Sequence, residues 1–581
     1  MVSLDAAKSL LAAPLCVAQF DSKISRSKIM GFFLLASFIV HTDLSPSSPD
    51  EPLPERVQTA YVPLHRFDLQ NSRQYQQQFA DMYFLRLAKI KPAVDAVASD
   101  VFDDVVVGGA KAKKVERVLD VRQGELCWVS GTVYMDMPFK PSILEDVSKD
   151  KLLSKPSTVK KYVPEDNDDI LAEGRGSVAI MLEDDSGRIR LVGRPLRSVL
   201  LVTGCIIAVM GTENEDGELE VIDIMFPDLP PQPERWQLSK PVATNGAAGE
   251  GPPAKKAKIE GGGKNGASGD VVMDGTAERK SSGGGKKIAI VSGLNFSGPH
   301  GASAVETSLL LEYLLGEALA PGSQEEASHI SRLIIAGNSI TTPEDPEEKA
   351  AKEAATAAAA AAAGSDGGVL QPKKYGYDSA SYNPVPSALL DEFLAELLPS
   401  MPVTLMPGVN DPANASIPQQ PIHPAMFPNA RLYTSPKPPS LAAPTDPPGW
   451  FDTVTNPWEG EVEGWRVLGV SGQTIDDIHK YVQGNDRLSM MEATCRWRCA
   501  APTAPDTLWT YPYQEDDPFV LDTCPHVYFA GSQPEFGTRL ITGPEDQTVR
   551  LIAVPAFSET REVVLLDTET LEVTRVKIGR Q

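Results

Sequence analysis

Five loops rich in glycine and asparagine hold the residues best placed to do chemistry. They are Ser292-Gly-Leu-Asn-Phe-Ser-Gly298, Gly337-Asn-Ser339, Pro407-Gly-Val-Asn-Asp-Pro412, Ser471-Gly-Gln473 and Gly531-Ser-Gln-Pro-Glu-Phe-Gly537, each following an apolar run. Open α/β sheets gather their ligands in loops at the carboxyl ends of the strands. Other routes to catalysis lack their parts. No G-x-S-x-G elbow in a strand–turn–helix setting offers a serine nucleophile. The glycine-rich stretch before Lys286 follows no strand and lacks the G-K-[ST] ending of a phosphate loop. Cys495 and Cys499 have no second Cys/His pair at zinc-finger spacing, so they read as thiols of a reducing compartment. No catalytic residue, metal or cofactor is expected.

The elements that position these loops are legible as apolar runs. Ile288–Val291, Leu333–Ala336, Val403–Met406, Val467–Val470 and Val527–Ala530 predict buried strands, with closing strands at 548–554 and 562–566. Helices are predicted over 304–319 and 387–398. Runs without alternation suit a sheet covered on both faces. Upstream, 125–134, 177–183, 188–192, 204–211 and 218–224 read as five short strands separated by Gly and Asp turns, a count that fits an OB-fold barrel. Residues 72–91 predict an amphipathic helix, with Tyr75, Phe79, Met82, Tyr83, Leu87 and Ile90 on one face and a stop at Pro92.

These elements divide the chain. Residues 61–110 form an N-terminal helical segment, 111–235 the barrel and 287–575 the α/β domain, with loop insertions at 342–374 and 434–450. Residues 236–286 are a disordered basic linker, poor in apolar residues. Within it Lys255, Lys256 and Lys258 form a basic cluster of the kind an import receptor reads; the alternative is a solubilising lysine run. Residues 1–60 are expected to be disordered or to reflect a misassigned start. Their apolar run, 29–40, is too short for a membrane helix. The net charge of −24 argues against a surface that grips nucleic acid throughout.

The loop layout resembles the calcineurin-like metallophosphoesterases. Their active members carry Asp-x-His, Gly-Asp and Gly-Asn-His-Asp/Glu after successive strands and Gly-His-x-His later, because two close divalent cations need carboxylates and imidazoles to offset their charge. On that resemblance Gly293 and Asn295 stand where Asp and His would be, Asn338 replaces the bridging Asp and Asn410 the His. Gly531, Ser532 and Gln533 replace the last motif, and Asp411 is the lone carboxylate of the three upstream loops. Neutral amides cannot hold two divalent ions, so the site reads as degenerate. His300, His423, His479 and His526 lie nearby without metal-ligand spacing and read as capping or core histidines.

Longer segments carry a more specific resemblance. Met137–Leu144, Val291-Ser-Gly-Leu294, Met406-Pro-Gly-Val-Asn-Asp-Pro-Ala-Asn414, Pro418–Pro428, Pro502-Thr-Ala-Pro-Asp-Thr507, Cys524–Gly531 and Gly543–Thr548 occur in the order found in the B-subunit family of replicative DNA polymerases, delta type. This resemblance implies an OB-fold barrel packed with an inactive calcineurin-like phosphoesterase α/β domain. It also implies a nuclear, non-catalytic scaffold for DNA replication and repair synthesis. Its partners would be the C-terminal metal-binding domain of the polymerase delta catalytic subunit and a further accessory subunit, with DNA contacted indirectly or weakly and no membrane. Two rivals remain: an atypical phosphodiesterase with one ion at Asp411, and a single-strand binder stacking bases on Trp128 and Tyr134. Trp450, Phe451, Trp458 and Trp465 are candidates for partner interfaces and equally for caps on the core.

Overall fold

The computed structural model describes residues 55–69, 78–140, 161–163, 178–235, 285–298, 304–317, 323–341, 383–434 and 450–579. Strand β1 (Tyr61–Leu64) precedes the long helix α1 (Phe79–Phe102), and a small hairpin of β2 (Val106–Val107) and β3 (Ala110–Lys111) follows. Pro92 does not stop α1. The proline gives up one backbone hydrogen bond, but Val94, Ala98 and Phe102 continue the buried stripe of Met82, Leu87 and Ile90. Each large apolar side chain buried contributes about 1.5–3 kcal/mol, enough to carry the helix through.

The predicted strands of the barrel all form. They are β5 (Leu126–Asp136), β6 (Ala179–Glu183), β7 (Arg188–Val192), β8 (Ile206–Glu213) and β9 (Leu219–Met225), and β4 (Lys113–Lys114) is added at the edge. The order is β4-β5-β6-β7-β9-β8, and β5 pairs with β8 to close a barrel of the OB-fold type. Alternation sets its inside: on β7, Ile189 and Leu191 are buried while Arg188 and Arg190 are exposed.

The remaining described strands form two six-stranded sheets rather than the single sheet expected. One has the order β13-β12-β11-β10-β19-β20, from β10 (Lys287–Val291), β11 (Ile330–Ala336), β12 (Val403–Met406), β13 (Phe451–Thr453), β19 (Glu562–Asp567) and β20 (Val573–Lys577). The other has the order β1-β14-β15-β16-β18-β17, from β1, β14 (Trp458–Val462), β15 (Trp465–Val470), β16 (Val527–Gln533), β17 (Gly537–Thr542) and β18 (Thr548–Pro555). Their inner faces meet, with Ile288, Ile290, Ile334 and Met406 packed on Trp458, Val467, Phe529 and Ile552. Helices cover both outer faces. On the first sheet lie α2 (Ala304–Leu315), α3 (Ser323–Ser328) and α4 (Val385–Leu397); on the second lie α5 (Gln473–Tyr481) and α6 (Arg487–Arg496). The short α7 (Phe557–Thr560) follows β18. The layers therefore run helix, sheet, sheet, helix.

The barrel is fastened to this four-layered unit. One continuous apolar cluster runs from Trp128, Val133 and Val209 of the barrel to Ile475, Met491 and Tyr528. At the joint Arg86 of α1 is buried. Its Nε donates to Asp517 at 2.8 Å, and its Nη1 donates to the carbonyls of Pro502 and Ala504 at 2.9 and 2.7 Å. The N-terminal boundary also moves. β1 lies on the edge of the second sheet, with Tyr61 opposite Val462, rather than in a helical segment. Arg56, expected to precede the fold, donates to the carbonyls of Leu314, Ala327 and Ile330 at 2.7, 2.8 and 2.7 Å.

Candidate functional site

The loops after β10, β11, β12 and β16 converge on one open cleft of about 320 Å³. Its walls include Gly293, Asn295, Asn338, Asn410 and Ser532, five of the six positions singled out above. Three of these non-glycine residues hold left-handed backbone: Asn295 (φ 50°), Asn338 (φ 53°) and Ser532 (φ 53°). Asn tolerates that region through its short polar side chain; Ser does so less readily. Side-chain hydrogen bonds hold the strained turns. Asn338 Nδ2 donates to Ser532 Oγ at 2.8 Å, and the backbone N–H of Asn410 donates to Asn338 Oδ1 at 3.1 Å. Ser292 Oγ donates to Ala336 O at 2.6 Å and accepts from the Ser532 N–H at 2.9 Å. Asn295 Nδ2 donates to Ser558 Oγ at 2.8 Å.

The sixth position, Asp411, is buried and absent from the cleft walls. Its Oδ1 accepts from the Ile340 N–H at 2.9 Å and its Oδ2 from the Gly408 N–H at 2.8 Å. The carboxylate thus staples the β11 loop to the β12 loop. Burial pushes its carboxyl up to about 6, against the opposing pull of the backbone donors.

Three charged residues missed in the sequence line the cleft: Asp476 of α5, Arg487 of α6 and Glu559 of α7. Asp476 and Arg487 pair with each other at 2.8 Å. No local motif marked them, since α5 and α6 lie far along the chain from the first three loops. A further amide network ties the loops together. Asn456 Nδ2 donates to Gln419 and Gln473 at 2.8 and 2.9 Å, and Gln473 Nε2 donates to Gln419 Oε1 at 2.8 Å. Its traces in the sequence are the loop Ser471-Gly-Gln473 and the run Pro418-Gln-Gln-Pro421.

The donor set does not fit a pair of divalent cations. Amides and hydroxyls dominate the walls, and among the described residues no three His, Cys, Asp or Glu side chains group as a metal site needs. At Gly293 (φ 64°) a Cβ would lie 2.9 Å from the Ala556 Cβ, so a carboxylate cannot be restored there without moving the neighbour. Two of the histidines, His423 and His526, make structural hydrogen bonds. His423 Nδ1 caps a short turn by accepting from the Ala425 N–H at 3.1 Å. His526 Nδ1 accepts from the Arg466 N–H at 3.0 Å, and its Nε2 lies 3.0 Å from Pro233 O. Burial lowers the His479 pKa to about 4. His300 lies outside the described residues, as do Lys255, Lys256, Lys258 and the insertion 342–374.

The aromatic candidates divide. Trp458 and Phe451 are core residues. Trp465 donates its indole N–H to Thr568 O at 2.6 Å beneath the Arg235 guanidinium, and Trp450 is partly buried against the outer face of the first sheet. Trp128 is fully buried and donates to Asp103 Oδ1 at 2.9 Å, so it is not free to stack on a base. Tyr134 lies between Lys140 and Arg188, 4.2 and 4.6 Å from its ring. Cys127, Cys205, Cys495, Cys499 and Cys524 are free and buried, and burial raises their pKa values, the mark of unreactive thiols.

Two family profiles match the chain. One is the DNA polymerase delta OB-fold domain, over residues 78–224; the other is the B subunit of DNA polymerases alpha and epsilon, over residues 288–538. Curated relatives match over nearly their whole length. The DNA polymerase delta small subunit of Saccharomyces cerevisiae is 32% identical over 536 residues, covering 87% of this chain and 90% of that protein. The Arabidopsis thaliana protein of the same name is 31% identical, covering 91% and 98%. The DNA polymerase delta subunit 2 of Drosophila melanogaster is 30% identical, covering 90% and 98%. With that much of each chain aligned in order, this protein belongs to the DNA polymerase delta small-subunit family.

Proposed function

We propose that this chain is a non-catalytic accessory subunit of a DNA polymerase delta complex. In this reading it serves DNA replication and repair synthesis in the nucleus by bridging the C-terminal metal-binding domain of the catalytic subunit and a further accessory subunit. The observation that carries it is the cleft. Asn295, Asn338 and Ser532 hold left-handed backbone in its loops, and their neutral side chains are already engaged, Asn338 with Ser532 and Asn295 with Ser558. We read the helix–sheet–sheet–helix layers as a calcineurin-like phosphoesterase fold whose metal positions, Gly293, Asn295, Asn338, Asn410, Asp411 and Ser532, are degenerate. Such a fold keeps its rigidity and frees its surface for partners. The rival with one ion at Asp411 loses support, because that carboxylate already accepts two backbone N–H groups away from the cleft walls. DNA contact is indirect or weak in this reading. No helix among the described residues is long and apolar enough to cross a membrane.

Metal analysis of the purified chain, paired with a phosphodiester assay, tests the cleft. The expected result is less than stoichiometric manganese and no turnover. Bound manganese with turnover abolished by Asp411→Ala would overturn the scaffold-only reading. Co-production with the catalytic and further accessory subunits tests the bridge; a complex that assembles equally well without this chain removes it. Import is tested by Lys255→Ala, Lys256→Ala and Lys258→Ala together, with loss of nuclear accumulation expected for the chain expressed alone.

A further inference from the structure

Helix α1 has two apolar faces. The inner one packs on the barrel through Met82, Ile90, Val94 and Phe102. The outer one faces water along an i,i+4 row of Phe84, Ala88, Pro92 and Ala96, flanked by Val97 and Val101 on the neighbouring row. A helix lying on a protein surface ordinarily turns a polar face outward. Here Phe84 is 49% and Val101 43% exposed. At the helical rise per residue the strip from Phe84 to Val101 is about 26 Å long. Bulky side chains stand toward its ends, with alanine and proline between. Two adjacent i,i+4 rows leave a groove that accepts the ridge of a second helix.

The charges say which helix. The exposed charges near the ends of the strip are Asp81 and Asp100; of the lysines between them, Lys89 is paired with Asp516 and Lys91 donates to the carbonyls of Glu116 and Ser130. A second copy of this chain is a poor occupant. Antiparallel pairing sets Asp81 against Asp100, parallel pairing sets like against like, and each chain carries a net charge of −24. At about 26 Å by one helix width of roughly 10 Å, the strip spans about 260 Å², below the roughly 800 Å² per partner of a free-standing interface. Its occupant is therefore held elsewhere too, as a subunit of a larger assembly is.

We propose that this outer face of α1 is the docking strip for an amphipathic helix of another polymerase subunit. That helix carries large apolar side chains at three- and four-residue steps and lysine or arginine at both ends. The inference rests on the scaffold reading above and names one of its contact surfaces. The test co-produces the full chain with the catalytic and further accessory subunits and compares wild type with Ala88→Glu/Ala96→Glu. The expected result is at least tenfold weaker retention of one subunit, with the other retained and the unfolding midpoint of the free chain unchanged. Asp81→Lys/Asp100→Lys should weaken the same subunit at low salt, with the difference fading at high salt. Should the glutamate variant lower the unfolding midpoint, Phe84→Ser decides in its place. Retention of both subunits at wild-type stoichiometry and salt tolerance by a stably folded variant overturns the docking strip and leaves the scaffold reading standing. A wild-type chain that retains neither subunit overturns the scaffold reading, and the strip falls with it.

Discussion

The cleft and the barrel joint use polar groups in opposite ways. In the cleft, neutral amides and hydroxyls hold left-handed turns, and the Asp411 carboxylate is turned inward to staple loops. At the joint, full charges are buried. Arg86 is 4% exposed and Asp517 0%, and the Arg498 guanidinium donates to the carbonyls of Pro227, Asp228 and Leu229. A buried pair is not in itself a strong stabiliser, because desolvation offsets most of the attraction, but removing one partner strands the other. The joint between the two domains thus holds a buried ion pair, while the loop positions at the cleft carry neutral side chains. That distribution suits an accessory subunit, whose work is to hold surfaces in register.

The contrast can be broken most severely at the joint. Arg86→Ala leaves Asp517 buried without its partner and should destabilise the chain by about 3–5 kcal/mol in urea unfolding. A loss below about 1 kcal/mol would mean that water reaches the joint.

Next in size is the pH response of the loop staple. The Asp411 carboxyl stands near 6 in the folded chain, above the ordinary value of roughly 3.9 for an unfolded aspartate. The folded state therefore holds that proton more tightly. The resulting stabilisation is complete below about pH 4 and is lost as pH rises through 6. Between pH 4 and 7 the wild type should lose on the order of 2–3 kcal/mol relative to Asp411→Asn, which cannot titrate. Parallel stability curves for the two proteins would show that the backbone donors outweigh burial.

A smaller effect is expected in the cleft wall. Gly293→Ala combines left-handed backbone with a 2.9 Å approach to Ala556, and a cost of roughly 1–2 kcal/mol should appear in the thermal midpoint. The smallest is at the exposed Asn410, whose change to Ala should stay within about 0.5 kcal/mol and leave subunit assembly intact. Impaired assembly there would make the cleft itself a partner contact.

By itself the sequence determined the features that are local. Strand positions in the barrel followed from alternation and turn residues, because a side-chain period of two can be read within a few residues. The chemistry of the loops followed from residue type, since Gly293, Asn295, Asn338 and Ser532 carry no charge in any fold. The tertiary structure decided what depends on residues far apart in the chain. An apolar run such as Ile288–Val291 reads the same whether its second face meets a helix or another sheet; only pairing across hundreds of residues made two sheets of one. Local propensity placed a stop at Pro92, but burial of Val94, Ala98 and Phe102 on the barrel outweighed one lost hydrogen bond. Asp411 read in the sequence as the lone carboxylate of a degenerate site, with one ion only in the rival reading; its role as a staple was invisible there, because the backbone N–H groups of Ile340 and Gly408 converge on it only in the folded chain. Burial and hydrogen-bond satisfaction are sums over the whole molecule, and no stretch of sequence contains them.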